Sequence, residues 1–215
     1  GCIMGHLKGK TAIITGGGRA VLKDGSCGSI GYGIATAYAK EGCNLVLTGR
    51  TEQKLVDAKE ELERLYGIKV LTFVANIRKD ADCEELVEEV VKQTVETFGG
   101  IDVLINCAQA SEAGVPLAVH TTEQFDLAIY SGLYAAFYYM KACYPYLVAS
   151  KGSVINFASS AGMSGGLGQA ANGAAKEGIR ALSRVAATEW AEDGINVNSI
   201  CPLSWTLQLE KYAKA

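Results

Sequence analysis

Short apolar runs alternate along the chain with longer stretches in which apolar residues recur at helical spacing. The runs predict strands over 11–15, 44–48, 70–75, 103–106, 153–157 and 197–201. The stretches between them predict helices over 30–41, 52–66, 81–98, 122–147 and 171–190. In the second helix Leu55, Ala58, Leu62 and Leu65 share one face, and charged residues take the other. Strand–helix–strand connections of this length demand right-handed crossovers. The expected fold class is therefore α/β, a doubly wound parallel sheet of the Rossmann type with helices on both faces. One domain is expected across residues 1–215, short at its carboxyl end, because a fold of this kind usually adds a further helix and strand beyond the sixth strand.

Composition narrows the function classes. Hydrophobic residues make up 49% of the chain, enough for a packed core. A net charge of −3 lacks the clustered positive charge that nucleic acid or an anionic membrane would require. No apolar run reaches bilayer length. The seven cysteines show no paired spacing, and His6 and His120 alone cannot build a metal site, so reduced, buried thiols and a cytoplasmic protein are expected.

Chemistry first appears where the first strand ends. Thr15-Gly16-Gly17-Gly18 leaves that strand, and Gly28-Ser29-Ile30-Gly31 opens the next helix. Glycines at this junction let backbone amides approach a diphosphate at the positive end of a helix dipole. Residues 19–27 lengthen the loop, and from there Arg19 or Lys23 either reaches a phosphate or stays in solvent. The second strand ends in Gly49-Arg50 instead of an acidic residue. That removes repulsion of a ribose phosphate and offers a guanidinium, which favours NADP(H) over NAD(H).

Together with Asn106-Cys107-Ala108-Gln109, the segment Gly152 to Gly162 and Lys176, these motifs resemble the short-chain dehydrogenase/reductase family from about Leu7 to Pro202. The resemblance implies hydride transfer between NAD(P)(H) and a small carbonyl or alcohol. It also implies a serine that polarises the carbonyl, a tyrosine acid/base, a lysine that lowers its pKa and holds the ribose, and a relay asparagine. The serine maps to Ser159 and the lysine to Lys176. The tyrosine position holds Asn172 and the relay position Gly132; Asn76, Gln109 and Leu203 also depart from the family pattern. A carboxamide cannot exchange a proton near neutral pH, although it can donate a hydrogen bond.

The expected catalytic set is Ser159, Asn172 and Lys176. The expected cofactor set is Gly16, Arg19, Ser29, Ile30, Gly31, Arg50, Asn76, Ile77, Asn106, Ala108, Lys176 and Pro202, with no metal. Three readings of Asn172 stay open: an introduced change that traps a complex with Gly132 as independent drift, a divergent enzyme, or a non-catalytic dinucleotide binder. Tyr130, Tyr134 and His120 are the candidates for a substitute acid. Aromatic excess on the helices over 122–147 and 171–190, with Phe137, Tyr138, Tyr139, Tyr144 and Trp190, points to subunit contacts. The resemblance implies a homodimer or homotetramer.

Overall fold

The computed structural model describes residues 6–20, 29–79, 82–109, 114–157 and 168–200. Its six strands are β1 (Thr11–Thr15), β2 (Asn44–Gly49), β3 (Val70–Val74), β4 (Val103–Asn106), β5 (Ser153–Phe157) and β6 (Asn196–Ile200). All pair in parallel, in the order β3-β2-β1-β4-β5-β6. The helices are α1 (Ile30–Lys40), α2 (Glu52–Tyr66), α3 (Cys83–Phe98), α4 (Thr122–Ala128), α5 (Ala135–Ser150) and α6 (Ala170–Trp190). This is the doubly wound α/β layout expected from the hydrophobic pattern.

A parallel sheet covered on both faces needs strands that are apolar on both sides, and β1, TAIIT, is buried throughout. Ile13, Val46, Leu104 and Val154 face one helical layer, packing with Val87, Tyr139, Leu147 and Ala186. Ala12, Ile14, Leu45, Leu47 and Ile105 face the other, against Ile34, Leu55, Ala58 and Leu62. Strand β1 lies between β2 and β4, so the chain winds outward in both directions from there and leaves a crevice at the strands' carboxyl ends.

One prediction needs correction. The single helix expected over 122–147 is interrupted at Ile129–Tyr134 by a π-helical turn, then runs on to Ser150. Periodicity alone reads through such a turn because both flanks stay apolar. Leu133 in this turn packs closely on α6, where a Cβ on Gly178 would stand 2.8 Å from Leu133 Cδ2. A capping box between Thr121 and Gln124 fixes the start of α4.

Beneath the crevice a buried polar chain ties four elements together. Asn106 Nδ2 on β4 donates to Asn156 Oδ1 on β5 at 2.8 Å. Asn156 Nδ2 in turn donates to Ser183 Oγ on α6 at 2.9 Å and meets Met140 Sδ on α5 at 3.4 Å. Asn156 is fully buried, so removing its carboxamide leaves Asn106 and Ser183 short of partners with no water to replace them. Asn156→Ala is expected to destabilise the protein by about 2–3 kcal/mol and to lower Tm by roughly 5–10 °C in a calorimetric melt.

Candidate active site

A cleft of about 390 Å³ opens where β1 and β4 part. Thr15 shapes it: its hydroxyl oxygen accepts the backbone N–H groups of Cys107 and Ala108, each at 3.0 Å. These bonds draw the segment after β4 against the glycine turn. Gly16 sits at φ +69°, and a Cβ there would come within 3.1 Å of Ala108 Cα. Gly31 admits no side chain at all, because its Cβ would lie 2.1 Å from Gly16 O. The first turn of α1 therefore rests directly on the glycine turn. Ser29 caps that helix, accepting the Tyr32 N–H at 3.3 Å. The result is a wall of backbone at a helix N-terminus, with no side chain in the way, which suits a diphosphate. A dinucleotide fits here because Gly16 and Gly31 bring this bare backbone together along the wall of the cleft.

Of the sequence-derived cofactor residues, Gly16, Ser29, Ile30, Gly31, Arg50, Asn76, Ile77 and Ala108 line this cleft. Asn106 lies under it, in the polar chain described above. Arg19 is directed elsewhere: its Nε donates to Glu61 Oε2 on α2 at 2.7 Å, and the Tyr32 hydroxyl donates to the other Glu61 oxygen. Burial and the neighbouring Glu61 carboxylate both push the Tyr32 phenol up, keeping it protonated.

At the β2 end, Arg50 is joined by Thr51 and Lys54, which the sequence reading passed over. Thr51 is the N-cap of α2, yet its side chain makes no capping bond. Lys54, one helical turn beyond Arg50, lies on the same side of the cleft; that spacing was the available signal. Thr15, Ser131, Ala135 and Tyr139 also line the cleft. Thr15 belongs to the glycine motif, and nothing in a linear pattern marks the other three.

At the other end, Lys176 is buried on α6 and its Nζ donates to Phe157 O at 3.0 Å. Burial lowers its pKa to about 8, and the Cys107 thiol lies close by. Burial pushes that thiol up to about 12, so it is neutral and forms no ion pair with the lysine. Asn172, one turn before Lys176, accepts a hydrogen bond from Gln109 Nε2 and donates to Gln169 Oε1 at 3.1 Å. Gly132 faces the same Gln109 side chain. Ser159 and Pro202 lie outside the described residues.

The candidate substitute acids do not line the cleft. Tyr130 and Tyr134 stack on each other with ring centroids 4.3 Å apart, and His120 Nδ1 lies 3.4 Å from Val115 O. Among the described residues no cluster of His, Cys, Asp or Glu could hold a metal ion, and no helix is long and apolar enough to cross a membrane. Cys43, Cys83, Cys107 and Cys143 are free thiols.

Comparison with known proteins adds to this geometry. A family model described as short chain dehydrogenase matches residues 10–212. The chain is 63% identical over 209 residues to a 12alpha-hydroxysteroid dehydrogenase of a Clostridium species, covering 97% of this chain and 78% of that protein. It is 32% identical over 203 residues to the D-beta-hydroxybutyrate dehydrogenase of Cupriavidus necator, covering 94% of this chain and 72% of that one. Among solved structures, a short chain dehydrogenase from Bacillus anthracis superposes with a TM-score of 0.79 at 33% identity, covering 91% of this chain and 74% of its own. A xylitol dehydrogenase with NAD+ bound gives the same TM-score at 29% identity, covering 91% of this chain and 70% of its own.

The depressed Lys176 pKa has a testable consequence for stability. Between about pH 8 and the ordinary lysine value of 10.5, the unfolded chain holds a proton here that the folded chain has released. Stability contributed by this group therefore rises with pH across that window. Relative to a Lys176→Met variant, the parent should gain stability at up to about 1.4 kcal/mol per pH unit. Denaturant unfolding of both proteins at a series of pH values measures that difference. Equal slopes would show that Lys176 is not buried as described.

Proposed function

The chain belongs to the short-chain dehydrogenase family as an NAD(P)-dependent oxidoreductase, and from that premise we propose that it moves hydride between NADP(H) and a ring hydroxyl or ketone of a steroid. The substrate class follows the similarity to the 12alpha-hydroxysteroid dehydrogenase. The observation that carries the cofactor choice is the β2 end of the cleft. Gly49 leaves no carboxylate there, while Arg50, Thr51 and Lys54 offer two cations and an uncommitted hydroxyl to a ribose phosphate. Arg19 is engaged by Glu61 and leaves this task to them.

In this reading the cofactor supplies the hydride, and the chain's own residues manage binding and charge. Backbone amides at Gly16 and the start of α1 hold the diphosphate. Lys176 grips the adjoining ribose, and Ser159 with Asn172 donates hydrogen bonds to the substrate oxygen as negative charge develops. Asn172 supplies no proton. Lys176, with a pKa of about 8, is the nearby group able to release or take one near neutral pH.

One observation favours a second reading, a non-catalytic binder or inactivated site: both ends of the Asn172 carboxamide are already hydrogen-bonded. Turnover decides between them. The parent should reduce NADP+ slowly with a 12α-hydroxysteroid, and Asn172→Tyr should raise kcat by roughly 10²–10⁴-fold. Strong turnover in the variant with none in the parent would establish an inactivated site. In either case Arg50→Asp should weaken NADPH binding by roughly 10–100-fold, the value of one charge-assisted contact, while sparing NADH. A loss shared equally by both coenzymes would remove the phosphate assignment.

Two further parts of the reading concern setting. The free thiols suit a reducing compartment, and we place the protein in the cytoplasm. A groove of about 270 Å³ between α5 and α6, lined by Phe137, Tyr144, Val185 and Trp190, supports association with a second copy. Phe137 and Val185 are 42% and 53% exposed, more than large apolar side chains in a monomer's surface layer require. Light scattering should report a dimer or tetramer that Val185→Asp dissociates; a monomeric parent would refute this.

A further inference from the structure

Of three departures from the family pattern, Gln109 meets both of the others, Gly132 and Asn172. A Cβ on Gly132 would stand 2.9 Å from Gln109 Oε1, 3.2 Å from its Cδ and 3.4 Å from its Cγ. These are atoms of a flexible side chain, so residue 132 is not glycine because backbone forbids anything larger. A side chain there would instead push the Gln109 carboxamide aside. That carboxamide donates from Nε2 to Asn172 Oδ1, and its own Oε1 is buried with no donor among the described residues. Asn172 Nδ2 donates to Gln169 Oε1 at 3.1 Å.

The direction of these bonds matters more than their number. Gln109 pins the Asn172 oxygen to its own side by one bond, and Gln169 takes one Nδ2 hydrogen on the other. Away from the Gln109 side the carboxamide offers its second N–H, a donor, while the spare lone pair of the oxygen stays on the side that Gln109 holds. Were Gln109 absent or displaced, the carboxamide could turn and offer its oxygen, which repels a carbonyl oxygen and accepts from an alcohol. We propose that Gln109 is a positioning residue that sets the hydrogen-bonding polarity of Asn172, and that Gly132 is small so that Gln109 can reach it. Positions 109, 132 and 172 then form one adapted unit, and Gly132 is not independent drift. This rests on the dehydrogenase reading above and deepens it, by assigning what discriminates ketone from alcohol.

Dead-end complexes test it without turnover. A 12-oxo steroid is titrated into the NADP+ complex and a 12α-hydroxy steroid into the NADPH complex, for the parent, Gln109→Leu, Gly132→Ala and the double variant. The parent should favour the ketone. Each single variant should reduce that preference about tenfold at saturating coenzyme, a condition needed because Gln109 also lines the cleft. The double variant should lose no more than either single, because both act by removing the same bond. A merely structural role for Gln109 would weaken both steroids together and leave the preference intact, and that outcome overturns the proposal. Should neither steroid saturate the parent while NADPH does, the substrate assignment falls instead. An unfolding cycle across Gln109→Leu and Asn172→Leu then decides the proposal: non-additive Tm losses sustain the coupling, and additive losses end it.

Discussion

The molecule depends on a single close approach of backbone to backbone. The Thr15 hydroxyl holds two successive amides after β4, and α1 begins so near Gly16 that no β-carbon fits between them. With a larger residue at position 31 the first helix would lift off the sheet, and the cleft floor would lose its wall. The strand order β3-β2-β1-β4-β5-β6 makes this junction the place where neighbouring connections diverge. Topology opens the crevice there, and Thr15 with its two amides sets how wide it is.

Two kinds of polar group meet beneath that crevice, and they do different work. The Asn106–Asn156–Ser183 chain runs unbroken from strand to helix and serves to align α6 with the sheet, although Asn106 Oδ1 lacks a donor among the described residues. Its value lies in the cost of leaving any member unpaired. The Gln109–Asn172–Gln169 ladder is only partly saturated, since Gln109 Oε1 lacks a donor among the described residues. Gln109 also lines the cleft, so its open acceptor leaves hydrogen-bonding capacity for something else to use, which suits the edge of a binding site. Lys176 stands between the two, on the helix that the first network fixes and one turn beyond the residue that the second one orients.

Much of this was legible in the sequence. Strand positions followed from apolar runs such as Thr11–Thr15, because a strand buried on both faces has no polar alternation to confuse it. The glycine turn could be recognised because its chemistry is local: Gly16, Ser29 and Gly31 lie on either side of one strand-to-helix turn. Arg50 could be placed at the cleft because it directly follows β2, but the same reading put Arg19 in the cofactor set without seeing Glu61. That partner lies 42 positions along the chain, and only folding brings the two together. Lys54, Thr51 and Tyr139 share this difficulty. So does the meeting of Gln109 with Gly132 and Asn172, three positions noted separately as departures whose contact is set by tertiary packing.

The π-helical turn at Ile129–Tyr134 separates α4 from α5 by more than a change of hydrogen-bond pattern. A wider turn throws the two flanking helices out of phase, much as a slipped tooth offsets two gears. Residues of α5 such as Tyr139 and Cys143 keep their mesh with the sheet, while Gly132 within the turn faces the Gln109 carboxamide. The alignment that holds the interior together is thereby uncoupled from the one that shapes the reacting end. Exchanges at position 132 can change which partner the site accepts without transmitting a rotation into the core, so this one position can vary where Leu133, held against α6, cannot.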